Sequence, residues 1–575
     1  MSALWIRKAW SPVLFLAAAI AAAGHPLQAA AAEETTPAET PQVKNLLVVS
    51  IASYDHLMGD VDFLGGLAGK PDLSKMLDGM LNLFTQGQGL AGLDKSQPWG
   101  AVVRTDGGFG LQPLAFVAVK NLGDLLEVLT VFGVESEDQG DGVFQLQVEA
   151  EAGPQTLLVK EHNGWAFVAQ TSEALQELPD EPLSLLEGLD SEYDVAVRLQ
   201  VQNIPEMFRQ LAVQQLQLGL QQGLSQLPDD DPEDAALRDK LAENQLKSVT
   251  RLIEDSDHIT VGWLVDAEQR STHIDFSLVA LEGTATAQQA NKLSEAKSEF
   301  SGFLTSDAAV VCSLCSRYPE EDAQQMGVMI DALRTRALQA MDQETALEGA
   351  ARDAFKSAVN LVIDVLKETA EQGTMDGGML LELVPDGLTF AAGAHLVDAG
   401  RLETALRQVV ELAANEPGFP AIQWNTLAHA GIQFHTVTVP IPESEDEVRQ
   451  ILGDSVDVAV GFGKDRVYLA AGKDPVGTVK RVIDQSAAGA DDEAAPLVFS
   501  VALGKIVQFA AAQVDNPKVN LVADAFAQAE GKDHARITAR AVPNGVRYRL
   551  EVEDGVLKAI GTATSAAGAT TTAEN

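Results

Sequence analysis

The chain's only thiols are three positions apart, in Cys312-Ser313-Leu314-Cys315. A C-x-x-C pair exchanges disulfides when a helix N-terminus stabilises the thiolate of its first cysteine. Here Ala308 to Leu314 reads as a strand, and Pro319-Glu320-Glu321 can open a helix. Two plainer readings stand beside the redox one. The cysteines are ordinary strand residues, or they form one local structural disulfide in an oxidising compartment. Structural zinc needs a second cysteine pair or H-x₃₋₅-H, and the chain has neither.

Asp-His recurs at Asp257-His258 and Asp533-His534. A carboxylate beside an imidazole is the pairing of a base with the group that orients it. The same pair also serves a turn, with aspartate accepting backbone N–H groups and histidine shielding a sheet edge. His429 and His435 sit six apart around Gly431, and no H-E-x-x-H occurs. Gly87 to Gly92 matches G-x-G-x-x-G, but a helix precedes it where a dinucleotide site needs a strand, so it reads as a helix-terminating loop. Gly65 to Pro71 lacks the Ser/Thr and the glycine spacing of a P-loop, and Ser294-Glu295-Ala296-Lys297 has no Lys-Thr-Gly or Ser-Asp-Asn partner. The acidic runs Glu135–Asp141, Asp229–Asp234, Glu443–Glu447 and Asp491–Glu493 lack calcium-loop spacing and read as solvated loops. No catalytic, cofactor or metal site is therefore expected. The candidates that remain are Cys312 and Cys315, as a disulfide, and Asp257, His258, Asp533 and His534.

Both Asp-His pairs open a larger unit. Ile259, Val261, Trp263 and Val265 alternate with Thr260, Gly262 and Leu264, and Ile274, Phe276, Leu278 and Ala280 alternate with His273, Asp275, Ser277 and Val279. Period-2 alternation predicts a two-stranded hairpin. A similar hairpin runs from Asp533 to Ser565, and Gly-Thr-Ala-Thr closes each copy, at Gly283–Thr286 and Gly561–Thr564. A nearly constant offset across a whole unit points to internal duplication.

The elements around the hairpins follow one order in both halves. Leu46–Ala52 and Ala308–Leu314 read as first strands. Leu73, Met76, Leu77, Met80, Leu81 and Phe84 give a clear amphipathic helix after the Gly-rich Gly59–Lys70. In the second half Met326 to Leu333 and Ala354 to Thr369 are helical. Asn121 and Asp398 are placed to cap helices facing Leu122–Phe132 and Leu402–Ala413. Antiparallel strands follow in clusters, with Glu135–Gly142 as an acidic turn. Clustered strands between long helices predict an α+β fold of two pseudo-repeated halves, each an antiparallel or mixed sheet packed with amphipathic helices. The expected boundaries are 45–287 and 308–566 for the halves, with a connector at 288–307 and a frayed tail at 567–575.

The 575 residues are 46% apolar and carry a net charge of −43, enough for packed cores and too acidic for nucleic acid or anionic lipid surfaces. Residues 1–32 read as a secretory signal: Arg7 and Lys8, the apolar run Val13–Ala23, then alanine-rich cleavage sites. Residues 33–44 read as a disordered Thr/Pro/Glu linker. A periplasmic or extracellular location is expected, with no membrane span after cleavage. The signal, strand–helix units such as Pro113–Leu129 and the acidic chain resemble uncharacterised secreted and periplasmic bacterial proteins with duplicated α+β domains. That resemblance implies the fold and supplies no functional residue. The expected function is a non-catalytic binding or scaffold module with a protein or small apolar partner. Behind it stand a carrier of an apolar ligand such as a lipid, and then a hydrolase or thiol redox protein.

Overall fold

The computed structural model describes residues 43–107, 110–150, 153–225, 246–294, 296–343, 349–384, 387–414, 418–489 and 494–573. The expected signal peptide, most of the linker, and the acidic runs at 229–234 and 491–493 lie outside them. The fold is α+β, with antiparallel sheets and packed helices. The chain divides into two compact units between Leu281 and Glu282.

The first unit holds β1 (Lys44–Ile51), β2 (Trp99–Thr105), β3 (Leu111–Ala118), β4 (Glu135–Gly140), β5 (Val143–Ala150), β6 (Gly153–His162), β7 (Trp165–Ala169), β8 (Val195–Gln200), β9 (Ser256–Asp266) and β10 (Ser271–Ala280). Every pairing within it is antiparallel, and the spatial order is 4-5-6-7-3-2-1-8-9-10. Helices α1 (Tyr54–Leu67), α2 (Leu73–Phe84) and α3 (Leu122–Val131) supply one face of the core, where Tyr54, Leu81, Leu125 and Leu129 meet Ile51, Ala115 and Val117. The other face buries Val48, Val102, Leu114, Phe116 and Phe167 beneath Leu175, Leu186, Leu189 and Tyr193. A further helix, α4 (Glu206–Ser225), precedes the hairpin.

The second unit opens with α5 (Ala285–Leu293) and holds β11 (Val310–Arg317), β12 (Thr374–Val384), β13 (Gly387–His395), β14 (Gln423–His429), β15 (Ile432–Pro440), β16 (Ser455–Phe462), β17 (Arg466–Gly472), β18 (Leu497–Ala502), β19 (His534–Val542) and β20 (Gly545–Glu553). Its order is 14-15-16-17-13-12-11-18-19-20, again antiparallel throughout. Long helices α6 (Glu320–Gln343), α7 (Gly349–Glu371) and α8 (Ala399–Ala413) precede the four-strand stretch, and α9 (Pro475–Ala488) follows it. Val479, Val482 and Ile483 of α9 pack on Phe300, Phe303, Leu380, Ala391 and Tyr468. Helices α10 (Leu503–Gln513), α11 (Pro517–Ala527) and α12 (Asp554–Ala573) share a small cluster around Phe526 and Val556.

Several local expectations are met residue by residue. The amphipathic helix covers Leu73–Phe84. Asn121 Oδ1 accepts the Asp124 N–H, and Asp398 Oδ1 accepts those of Gly400 and Arg401. The G-x-G-x-x-G stretch is a loop, tied by the Gly89 N–H to Thr85 Oγ1 at 2.7 Å. Gly92 is required there: its φ is +83°, and a Cβ would stand 2.4 Å from the Asn121 carbonyl oxygen.

Other expectations are corrected. Glu135–Gly142 is not a turn, because Glu135–Gly140 forms the exposed edge strand β4, and charge on an edge is a known guard against edge-to-edge pairing. The Gly-rich segment, to which the sequence pattern assigns no element, is helical through Leu67, with Ser53 Oγ accepting the His56 N–H. The stretch read as a connector begins inside α5, whose Thr284 cap belongs to the first Gly-Thr-Ala-Thr. The second copy, Gly561–Thr564, lies within α12, which runs on to Ala573, inside the segment read as a frayed tail.

Candidate functional site

Cys312 and Cys315 both lie in β11, and both are free. Three steps along the strand separate their Cα atoms by roughly 10 Å and turn the side chains to opposite faces, beyond the ~7 Å limit for a disulfide. The local disulfide is therefore not formed. Burial pushes the Cys312 thiol up; burial, then the Asp376 carboxylate, pushes Cys315 up to about 11. Neither supplies the low-pKa thiolate that exchange chemistry needs.

The two Asp-His pairs sit at equivalent strand entries but have different partners. His258 Nδ1 lies 2.9 Å from Asp257 Oδ2, and the residue facing it across the hairpin is Val279. In the second unit the facing side is occupied by Glu553. His534 Nδ1 lies 3.1 Å from Asp533 Oδ1 and 3.2 Å from Glu553 Oε2, whose oxygen also accepts the His534 backbone N–H at 2.9 Å. Arg536 Nη1 is 3.1 Å from Glu553 Oε1, and Lys532 Nζ is 3.8 Å from it. The hydrogen bonds to Asp533 and then Glu553 raise His534 to about 9. Burial alone would raise Glu553, but the His534 ring and backbone donors and Arg536 outweigh it and bring it down to about 2.

This cluster is a charged clamp on the β19–β20 ends, and its effect on stability has a definite pH window. The raised His534 stabilises fully below 6.5, the ordinary value, and loses that contribution as pH rises through about 9. The lowered Glu553 stabilises above 4.5 and loses it as pH falls toward about 2. Glu553→Gln should therefore cost on the order of 2 kcal/mol, most between pH 4.5 and 6.5. Thermal melts of both proteins should converge as pH falls toward about 2 and draw only partly together as pH rises through about 9, where Arg536 and Lys532 still pair with Glu553; a difference that is flat with pH would refute the clamp.

His429 Nε2 meets Asp484 Oδ1 at 2.7 Å, while His435 is buried and its Nδ1 accepts the Asn425 N–H at 3.0 Å. The two histidines thus serve different neighbourhoods. Burial lowers His435, which keeps its ring neutral beside Trp424 and Phe462.

A third constellation had no place among the candidates read from sequence. His56 and Asp60, one helical turn apart on α1, converge with Asp194 just before β8. His56 Nε2 is 2.8 Å from Asp194 Oδ1 and 3.9 Å from Asp60 Oδ2. Asp194 is almost wholly buried and joins three elements. Its backbone accepts from Ala52 and donates to Trp263, and its Oδ2 accepts the Val265 N–H at 2.6 Å. Asp60 is 7% exposed, and its Oδ2 has no hydrogen-bond partner. Burial first, then the Asp194 charge, raises Asp60 to about 6, against the lowering effect of His56. The His-x-x-x-Asp spacing was visible in the chain, but only if the Gly-rich stretch is helical.

The hairpins carry a second feature. In β9 and β10 the polar face is the covered one: Ser271, His273, Asp275 and Ser277 are buried, while Val261, Ile274 and Phe276 are 42–47% exposed. The cross-strand neighbour Val197 continues this exposed row, since Phe276 faces Val261 and Val261 faces Val197. In the second unit the exposed residues are Ile537, Tyr548 and Leu550, with Leu550 facing Ile537 and Ile537 facing the half-buried Phe499. Counted from the ladders, Val261, Ile274 and Phe276 hold the positions of Ile537, Tyr548 and Leu550.

No family model, no curated protein and no solved structure matches the chain.

Proposed function

We propose that this is an exported, acidic, non-catalytic binding or scaffold protein of the periplasm or cell envelope, built from two pseudo-repeated α+β halves. Its binding surface is the exposed apolar face of the terminal hairpin in each half. The carrying observation is the coincidence of three exposed large apolar side chains at the same three ladder positions, Val261, Ile274 and Phe276 in one hairpin and Ile537, Tyr548 and Leu550 in the other. Large contiguous exposed apolar patches mark interaction sites. Duplication is supported by the common strand order, four-strand stretch first and hairpin last. A protein partner is the first reading. An acyl chain lying along the same row is the second, favoured by its narrow, purely apolar course from Phe276 through Val261 to Val197.

Photo-crosslinking residues placed at positions 276 and 550 of the full chain test this in the exporting cell. Both should yield a crosslinked adduct that a probe at exposed Gln269 does not. Phe276→Glu with Leu550→Glu should abolish the adduct while shifting stability by no more than about 0.5 kcal/mol. Equal yields at 276, 550 and 269 would defeat the proposal. A lipid mass retained in native mass spectrometry and lost in the double variant would select the acyl-chain reading.

A further inference from the structure

We propose that His56, Asp60 and Asp194 form a binding site for one divalent transition-metal ion of the zinc type. Their nearest ligand atoms, one imidazole nitrogen and two carboxylate oxygens, all lie within 4.8 Å of one another. A tetrahedral ion with bonds of 2.0–2.2 Å holds its ligand atoms about 3.4 Å apart. The His56–Asp194 and His56–Asp60 separations, 2.8 and 3.9 Å, fall on either side of that figure. Side-chain shifts of roughly half an ångström would bring these two separations to the tetrahedral spacing.

Geometry alone would equally describe a surface histidine bonded to a buried aspartate. The orphaned oxygen of Asp60 is the independent observation. It belongs to a carboxylate that is 7% exposed, it has no donor, and it faces the same His56 nitrogen as Asp194. Buried acceptors are ordinarily satisfied, and a cation satisfies two carboxylates at once.

The surroundings suit a metal. The Val265 N–H fixes Asp194 through its second oxygen, while Oδ1 faces the His56 nitrogen across the site, and such outer support is what metal ligands usually have. His56 is anchored at the start of α1, and its side chain is 54% exposed, so solvent reaches the site and water can complete the coordination. Among the described residues no lysine or arginine pairs with either carboxylate. The Asp533, His534 and Glu553 atoms are as close together, but Arg536 and Lys532 already neutralise Glu553 and the imidazole is held protonated. That contrast separates an ion-pair clamp from a cation site. Nitrogen ligation and three protein donors favour zinc over calcium or magnesium, which take six or more oxygens.

Zinc alone is the probe, titrated calorimetrically into the full chain at physiological salt with excess magnesium to fill diffuse sites on the acidic surface. One zinc should bind above that background. His56→Ala and Asp60→Asn should each weaken it at least about tenfold, with unchanged circular dichroism, and Glu553→Gln should leave it as in the wild type. Cobalt in place of zinc should give a visible absorption band that His56→Ala removes. The proposal is overturned if no zinc is retained above the magnesium background, or if both His56→Ala and Asp60→Asn keep wild-type affinity.

Discussion

Gly262→Val is expected to destabilise the first unit by about 3 kcal/mol, and Tyr193→Ala by about 4 kcal/mol. Both expectations come from the inverted β9–β10 hairpin. A strand with one buried face ordinarily turns its apolar set inward. Here Gly262 lies on the covered face, and a Cβ there would stand 2.4–2.5 Å from the Tyr193 ring. The missing side chain makes room for that ring, which is itself 2% exposed. The Tyr193 hydroxyl then donates to Asp275 Oδ2 at 3.0 Å, and Asp275 is wholly buried. Glycine, tyrosine and aspartate thus let a polar strand face be the covered one. Valine would drive its methyl groups into a ring with no space to retreat. Alanine at 193 would leave a cavity and withdraw a donor from a buried carboxylate. Tyr193→Phe keeps the ring and should cost only about 1–3 kcal/mol. Denaturant unfolding of the three variants gives the ranking. Gly262→Val within about 0.5 kcal/mol of wild type would show that the ring and the glycine are not coupled.

That inversion also marks how far the chain could be read unaided. Alternation over Ile259–Val265 and Ile274–Ala280 located both strands, because a period of two is a local property. Which face is covered is not local. It depends on Tyr193, which is about seventy residues from Gly262 in sequence and beside it in space. The caps at Asn121 and Asp398 and the helix Leu73–Phe84 were legible for the same local reason. β4 was not, since all six residues of Glu-Ser-Glu-Asp-Gln-Gly are polar and exposed, and only pairing with β5 makes it a strand. α1 was hidden by Gly59, Gly65 and Gly66, each costing helix propensity. Gly65 is there for packing: a Cβ would stand 2.8 Å from the Lys70 carbonyl oxygen and 2.9 Å from Leu73. Without a helix assigned to that stretch, the turn that aligns His56 with Asp60 was not visible. Asp194, at the edge of a strand that was read, revealed nothing of its partners 138 and 71 residues away.

Phe303→Ala should lower the stability of the second unit by about 4 kcal/mol, near the upper end for a core aromatic. Phe303 and Phe300 are both fully buried, stacked with centroids 6.4 Å apart, and Phe300 lies 5.6 Å from the Tyr468 ring. This aromatic group rests on bare backbone. A Cβ at Gly378 of β12 would stand 2.7 Å from the Phe303 ring, and one at Gly393 of β13 would meet Tyr468 at 2.7 Å and Phe300 at 3.0 Å. The rings therefore fill the volume that side chains would take on two adjacent strands, and the two glycines beneath them have no side chain to move into the space that Phe303 would vacate. Loss of contact without relaxation is the condition under which large-to-small substitutions cost most. The same geometry predicts that Gly378→Ala, which adds a single carbon beneath an intact Phe303, destabilises on its own. In the Phe303→Ala background the ring atoms at 2.7 and 2.9 Å are gone and only the contact with the residue-303 Cβ, at 2.9 Å, remains. The double variant should then be more stable than the sum of the two single costs, with a coupling of roughly 1–2 kcal/mol. Calorimetry of the four proteins completes the cycle. Simple additivity of the two substitutions would show that the ring does not rest on Gly378.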